Sequence, residues 1–165
     1  MREPLVECLL QVTANDTAAL NTFDKLFRSG TGPRWSDRPF DETPRCSLHA
    51  LFLVPEDVQR RGHQTAGHLW CTQYWDTPDD LSDIQVKRRL RERNYRFFTQ
   101  VGAPKNVIWK ISYDLPTLRM RLVLLGTDRS DLQVHSYHEG LYQSSYSPHG
   151  AERFAALREE MGFAA

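Results

Sequence analysis

In the stretch from Leu118 to Leu124, Leu118, Met120, Leu122 and Leu124 take every second place, with Arg119 and Arg121 standing between them. Successive side chains of an extended chain point to opposite faces, so this spacing predicts a strand over Thr117 to Leu125 with one apolar face and one cationic face. A helix would scatter the same residues around its circumference. The chain must therefore build a sheet whose two faces differ in character.

The other segments are read by the same rules. Leu5 to Val12 reads as a strand, and Asn15 or Asp16 as the N-cap of a helix whose face is Ala19, Leu20, Phe23, Leu26 and Phe27. Ser29-Gly-Thr-Gly-Pro33 stops that helix. The stretch from Pro33 through Pro44 has three prolines and no period, and reads as a loop pinned by Trp35 and Phe40. Cys46 to Val54 is expected as a second strand, Pro55 opens a short helix, and Ala66 to Trp75 is an apolar segment expected to be helical.

Residues 82–101 pose a conflict. The run Lys87-Arg-Arg-Leu-Arg-Glu-Arg93 has helical propensity, yet Ile84, Val86 and Leu90, and then Tyr95, Phe97, Thr99 and Val101, alternate. Period two on both sides of Arg91-Glu-Arg-Asn94 favours a hairpin. A short helix follows Pro104, and Gly126 to Asp131 reads as a turn. A hairpin turns at Glu139-Gly140, and a last helix, opened by Ser147-Pro148, buries Phe154, Leu157 and Met161. The expected class is α+β: a ferredoxin-like split β-α-β with an antiparallel sheet, an inserted helical segment and a C-terminal helix. At 165 residues the chain is expected to form a single domain, 1–165, with inserts or loops about 29–45 and 55–81.

Lys and Arg number 21, and so do Asp and Glu, but the neutral total conceals a pattern. Residues 83–129 carry a net charge of +7, flanked by −4 before and −3 after. Three cysteines cannot all pair, which fits a reducing compartment, with Cys8 and Cys46 as small core residues. Glu7 interrupts the first apolar run too early for a signal peptide, and no run is long enough to span a bilayer. The expected location is the cytoplasm, with no membrane contact.

Candidate chemistry is sparse. His63, His68 and Cys71 form H-x4-H-x2-C, and His135 with His138 form H-x2-H. Residues three apart on a strand face opposite ways, and no pair has the tight spacing of a zinc site, so no metal and no cofactor is assigned. There is no nucleophile elbow, Ser144-Ser145 sits within a strand, and Cys71 with His68 lacks a third orienting group. Gly30-Thr-Gly-Pro33 follows a helix where a phosphate cradle would open one. No catalytic residue is assigned.

What remains is a surface. In the hairpin reading Lys87 and Arg89 share a face, as do Arg119 and Arg121, and Arg96 lies among aromatic residues. With Arg88, Arg91 and Arg93 these are the candidates for contact with a protein partner or with nucleic acid. The competing reading is a solvated face neutralised by carboxylates such as Asp83, Glu92 and Asp114. Trp70, Tyr74 and Trp75 are candidate aromatic anchors of an interface, with core packing as the alternative.

Four segments carry a family resemblance: Leu53-Val-Pro-Glu-Asp-Val58, Gly67-His-Leu-Trp-Cys-Thr-Gln-Tyr-Trp-Asp-Thr77, Tyr95-Arg-Phe-Phe-Thr-Gln-Val-Gly-Ala-Pro104 and Tyr113-Asp-Leu-Pro-Thr-Leu118. In that order, over roughly residues 46–146, they resemble the ferredoxin-like domain of phage- and plasmid-borne accessory proteins. The chain departs from that pattern in having Asp76 in place of a Gly, Pro78-Asp-Asp80 in place of a Trp, and Val101-Gly102 in place of a further Trp. The resemblance implies a ferredoxin-like fold and a home on mobile genetic elements, and brings no catalytic residues. Together with the charge segregation it leads to the expectation of a non-enzymatic binding protein. Such a protein would block or bridge a host protein or nucleoprotein complex, for instance as an anti-defence inhibitor. The alternative is a module that binds single-stranded or structured nucleic acid on a basic sheet face.

Overall fold

The computed structural model describes residues 5–126 and 129–164. Met1–Pro4, Thr127, Asp128 and Ala165 lie outside the described residues, and with Thr127 and Asp128 so does the middle of the expected 126–131 turn. Six antiparallel strands form one sheet: β1 (Leu5–Thr13), β2 (Ser82–Arg89), β3 (Glu92–Gln100), β4 (Arg119–Leu125), β5 (Leu132–His138) and β6 (Leu141–Ser147). Their order is β2-β3-β1-β4-β5-β6. β1 pairs with β3 on one side and β4 on the other, so the chain makes two crossovers, one through the long helical segment and one through α5 (Lys105–Asp114).

Period two decides what each face covers. Val6, Cys8, Leu10 and Val12 of β1, Tyr95 and Phe97 of β3, and Met120, Leu122 and Leu124 of β4 form the larger core. Against it pack α1 (Thr17–Arg28) through Leu20, Phe23 and Phe27, and α5 through Val107, Ile108 and Ile111. The intervening residues Leu9, Val123, Leu125 and Leu132 meet only α6 (Ala151–Glu160), through Phe154 and Leu157, with Met161 and Phe163 beyond its end. One helix cannot cover six strands, and the end of this face that holds Thr13 and Arg119 stays open.

Asp16 caps α1, its carboxylate accepting the Ala18 N–H at 2.9 Å. The expected strand at 46–54 is instead helical: α2 spans Leu48–Leu51. Leu48, Leu51 and Val54 are buried at spacing three while Leu53 is 69% exposed, the opposite of what alternation requires. The deciding group is distant in sequence. Asp80 accepts the Leu48 N–H at 2.9 Å and the Ser47 hydroxyl, while Ser47 itself caps His49. A cap supplied from residue 80 is invisible to a local reading.

The 29–45 loop is indeed held by Trp35, which is buried and packs edge-on against His63 at 5.1 Å. Gly67 makes room for it, because a Cβ there would lie 2.5 Å from the Trp35 ring. Asp37 accepts the N–H groups of His63 and Gln64, and these hydrogen bonds hold its carboxyl below the usual range. They cap the π-helical turn His63–Gly67, which follows α3 (Glu56–Arg61) and runs into α4 (His68–Trp75). Asp76 ends α4 in the left-handed region (φ 65°), a conformation that glycine adopts more readily than a residue with a Cβ. The last helix starts at Ala151, with Gly150 as its N-cap and no side-chain cap, so Ser147-Pro148 does not open it.

Candidate functional site

Residues 82–100 form a hairpin with Leu90-Arg91 as its two-residue tip, which places Arg93 inside β3 opposite Arg88 and not at the tip. Pleat parity then sorts the eight candidate cations. Lys87 lies opposite Asn94, Asn94 opposite Gln11, and Gln11 opposite Arg121. One row further along, Arg89, Glu92, Thr13 and Arg119 are aligned. Lys87, Arg89, Arg96, Arg119 and Arg121 thus share the face that α6 partly covers. Arg88 and Arg93 point to the other face, where they bind α1.

Those two are structural. Arg88 pairs with Asp24 at 3.0 Å, and Arg93, which is buried, donates to Asn21 at 2.8 Å and to the carbonyls of Arg89 and Glu92. Burial pushes the Asp24 carboxyl up, but hydrogen bonds from Arg88 and Tyr95 and the charges of Arg88 and Arg28 outweigh it and hold the group ionised. Arg96 is consumed too, by Glu7 at 2.7 Å. Arg89 pairs with Glu92 at 3.0 Å, a carboxylate that also accepts from Gln11 and Asn94. Lys87, Arg91, Arg119 and Arg121 form no ion pair among the described residues.

Arg119 and Arg121 line a groove of about 550 Å³ beside the C-terminal end of α6, with Gln11, Ser136, His138, Gln143 and Glu160. Through Thr13, Arg119 and His138 it continues into a larger cleft of about 920 Å³ that passes Arg89, Arg91 and Glu92 at the hairpin tip. The Arg121 Nε is buried and has no hydrogen-bond partner among the described residues. A buried N–H without an acceptor is energetically unsatisfied, which favours a shift of the Arg121 guanidinium toward any acceptor entering the groove.

The aromatic candidates separate. Trp75 is fully buried, its Nε1 donating to the Phe52 carbonyl at 3.0 Å, and is a core residue unable to meet a partner. Trp70 is half-buried between Phe52 and Trp75, and Tyr74 is exposed. More exposed rings lie elsewhere: Trp109 stacked on Tyr113, and Tyr142 and Tyr146 on β6, all on the α5 side.

The histidines do not converge. Parity sends His135 to the α5 face and His138 to the α6 face. His135 is buried, with Tyr142 Oη 2.7 Å from Nδ1 and Gln133 Oε1 3.1 Å from Nε2. Burial, aided by the Lys105 charge, lowers its imidazole to about 4. His63 lies between Arg38 and the Pro78 carbonyl. Cys71 is buried with its thiol pushed up to about 12 by desolvation, whereas His68 is exposed, so they make no dyad. Among the described residues no three of His, Cys, Asp and Glu gather as metal ligands.

Fold and surface together define an α+β protein with an unevenly covered antiparallel sheet and a cationic groove on its open side. No family model matches the chain, and no curated protein matches it. A solved structure shares the fold: protein api92 from Yersinia pseudotuberculosis, described under the family designation DUF1281, superimposes with a TM-score of 0.69. The match covers 88% of this chain and 98% of that one at 8% sequence identity, a likeness of fold alone. Among the described residues no helix is long and apolar enough to cross a membrane.

Proposed function

We propose that the protein is a non-enzymatic binding protein that receives a carboxylate-bearing segment of a protein partner in the groove beside α6. The observation that carries this reading is the pair Arg119 and Arg121, adjacent on one face of β4 and without ion pairs among the described residues, with the Arg121 Nε buried and unsatisfied there. A guanidinium is suited to bidentate carboxylate contact. Glu92, Glu139 and Glu160 line the same groove and cleft, and such mixed charge suits a protein surface better than a phosphate backbone.

Nucleic acid on the basic face is the second reading, favoured by the five cations that share it. Single-strand binders of this kind stack bases on exposed rings, and here the exposed rings Trp109, Tyr113, Tyr142 and Tyr146 belong to the opposite side. We also propose that β1 to β4, in the antiparallel order β2-β3-β1-β4 with helical crossovers after β1 and β3, form a ferredoxin-like split β-α-β core. In that reading residues 29–81 include an insert, and the β5–β6 hairpin and α6 are additions. The resemblance over residues 46–146 adds the setting of an accessory protein of a mobile element acting on a host complex.

Fluorescence anisotropy with a labelled glutamate-rich peptide and a labelled single-stranded oligonucleotide tests both readings. Peptide binding that weakens with salt and falls at least about tenfold in Arg121→Glu is expected. Oligonucleotide binding that loses about 0.7 in salt slope per cation removed would establish the second reading instead. Equal binding of either probe by wild type and by the Arg119→Glu/Arg121→Glu variant would overturn the groove as the site.

A further inference from the structure

The two edges of the sheet are built differently. β2 carries Lys87, Arg88 and Arg89 in succession, has a register irregularity between Ser82 and Gln85, and holds Asp83 at φ 54°. Charges and irregularities of this kind keep an edge from pairing with other strands. β6 at the other edge, Leu141-Tyr-Gln-Ser-Ser-Tyr-Ser147, has no charge, no proline and an unbroken register with β5. All seven of its residues are exposed.

The hairpin geometry shows which of its backbone groups are free. Glu139 and Gly140, both at positive φ, form a two-residue turn closed by the pair His138 and Leu141. In such a hairpin the closing pair exchanges both hydrogen bonds and alternate pairs follow suit. Leu141, Gln143, Ser145 and Ser147 therefore turn their N–H and C=O groups toward β5. Tyr142, Ser144 and Tyr146 present theirs to the open edge.

We infer that this edge pairs with β6 of a second copy, antiparallel about a two-fold axis through Ser144. The strand is nearly self-complementary in that register. Ser144 faces Ser144, each Tyr142 faces Tyr146 of the other copy on the α5 side, and Gln143 faces Ser145 on the α6 side. Ser144, Tyr142 and Tyr146 are the residues with outward amides, so the three pairs form about six backbone hydrogen bonds. The tyrosines add a cross-strand aromatic pair at each end. The same register sets Glu139 of each copy level with His149 of the other. An uncharged strand meets itself without repulsion, whereas β2 carries charged residues and a broken register along its edge. Because β2 is blocked, the contact closes at two copies and does not propagate. The axis runs perpendicular to the sheet, so both grooves beside α6 come to lie on one side of a continuous twelve-stranded sheet.

Sedimentation equilibrium of the full chain gives a dimer mass for the wild type. Ser144→Pro, which deletes an outward N–H the monomer does not use, and Ser144→Lys, which sets two ammonium groups at the axis, are both expected to sediment as monomers with unchanged circular dichroism. Ser144→Cys oxidises to a covalent dimer, since Cα atoms about 5.5 Å apart suit a disulfide, while Ser145→Cys, off the axis, cross-links at least about tenfold more slowly. A monomeric wild type at about 100 µM, above any useful affinity for a pairing of this size, would overturn the inference. So would a dimer indifferent to both Ser144→Pro and Ser144→Lys, or cross-linking equal at 144 and 145.

Discussion

Glu7 on β1 holds Arg96 on β3 at 2.7 Å beneath the C-terminal helix, with side chains only 5% and 17% exposed. The same carboxylate receives Arg158 of α6 at 3.1 Å. One anion thus ties two strands to the helix that covers them, and it explains why a cation in the middle of the basic face is not free for a partner. Glu7→Gln would leave two guanidiniums largely desolvated without their counter-charge. A loss of about 3 kcal/mol is expected from urea unfolding, and a loss under about 1 kcal/mol would show that the triad contributes little.

His135 makes stability depend on pH. Its folded imidazole sits at about 4 against an ordinary 6.5, first because of burial and then because of Lys105. A base depressed in the folded state binds protons more readily when unfolded. Its contribution is therefore complete above pH 6.5 and is lost as pH falls toward 4. Discounted for the half-exposed Tyr142 beside it, the loss is about 1–2 kcal/mol. Urea midpoints at pH 7 and pH 4.5 should converge less for wild type than for His135→Gln, whose curve is flatter; equal slopes would remove the histidine as the cause.

Val101 is a β-branched residue at φ 66°, the left-handed region, and half-exposed. Val101→Gly relieves that conformation at small loss of burial and should raise the melting temperature by about 2–4 °C. Its neighbour behaves oppositely. A Cβ at Gly102 would lie 2.5 Å from the Asp76 carbonyl oxygen, so Gly102→Ala lowers the melting temperature.

All three cysteines are free and buried. Burial pushes the thiols of Cys8 and Cys71 up to about 12 and that of Cys46 up to about 11. Thiolate is the reactive form, so Ellman's reagent at pH 7.5 should titrate none of them quickly in native buffer and all three in guanidinium. Rapid reaction of one thiol in the native protein would mean that its segment opens locally.

Trp75→Ala should cost about 3–5 kcal/mol, since it empties a fully buried site and orphans the Phe52 carbonyl. Tyr74→Ala, one residue earlier and exposed, should change stability by less than about 1 kcal/mol.

The sequence alone determined most of the sheet, because period two is a local property of a strand. The alternation of Leu118 to Leu124 and of Tyr95 to Thr99 assigned β4 and β3, and with them the face on which Arg119 and Arg121 stand. It also separated His135 from His138. Tertiary structure decided everything that depended on a group supplied from elsewhere. Asp80 capped residues 47 and 48 and turned an apparent strand into a helix. Asp24, Asn21 and Glu7 withdrew Arg88, Arg93 and Arg96 from the basic surface, and burial took Trp75 from the aromatic one. Charge segregation along the chain located the cations, but an ion pair is a contact between distant residues, so only the folded chain shows which cations remain unpaired.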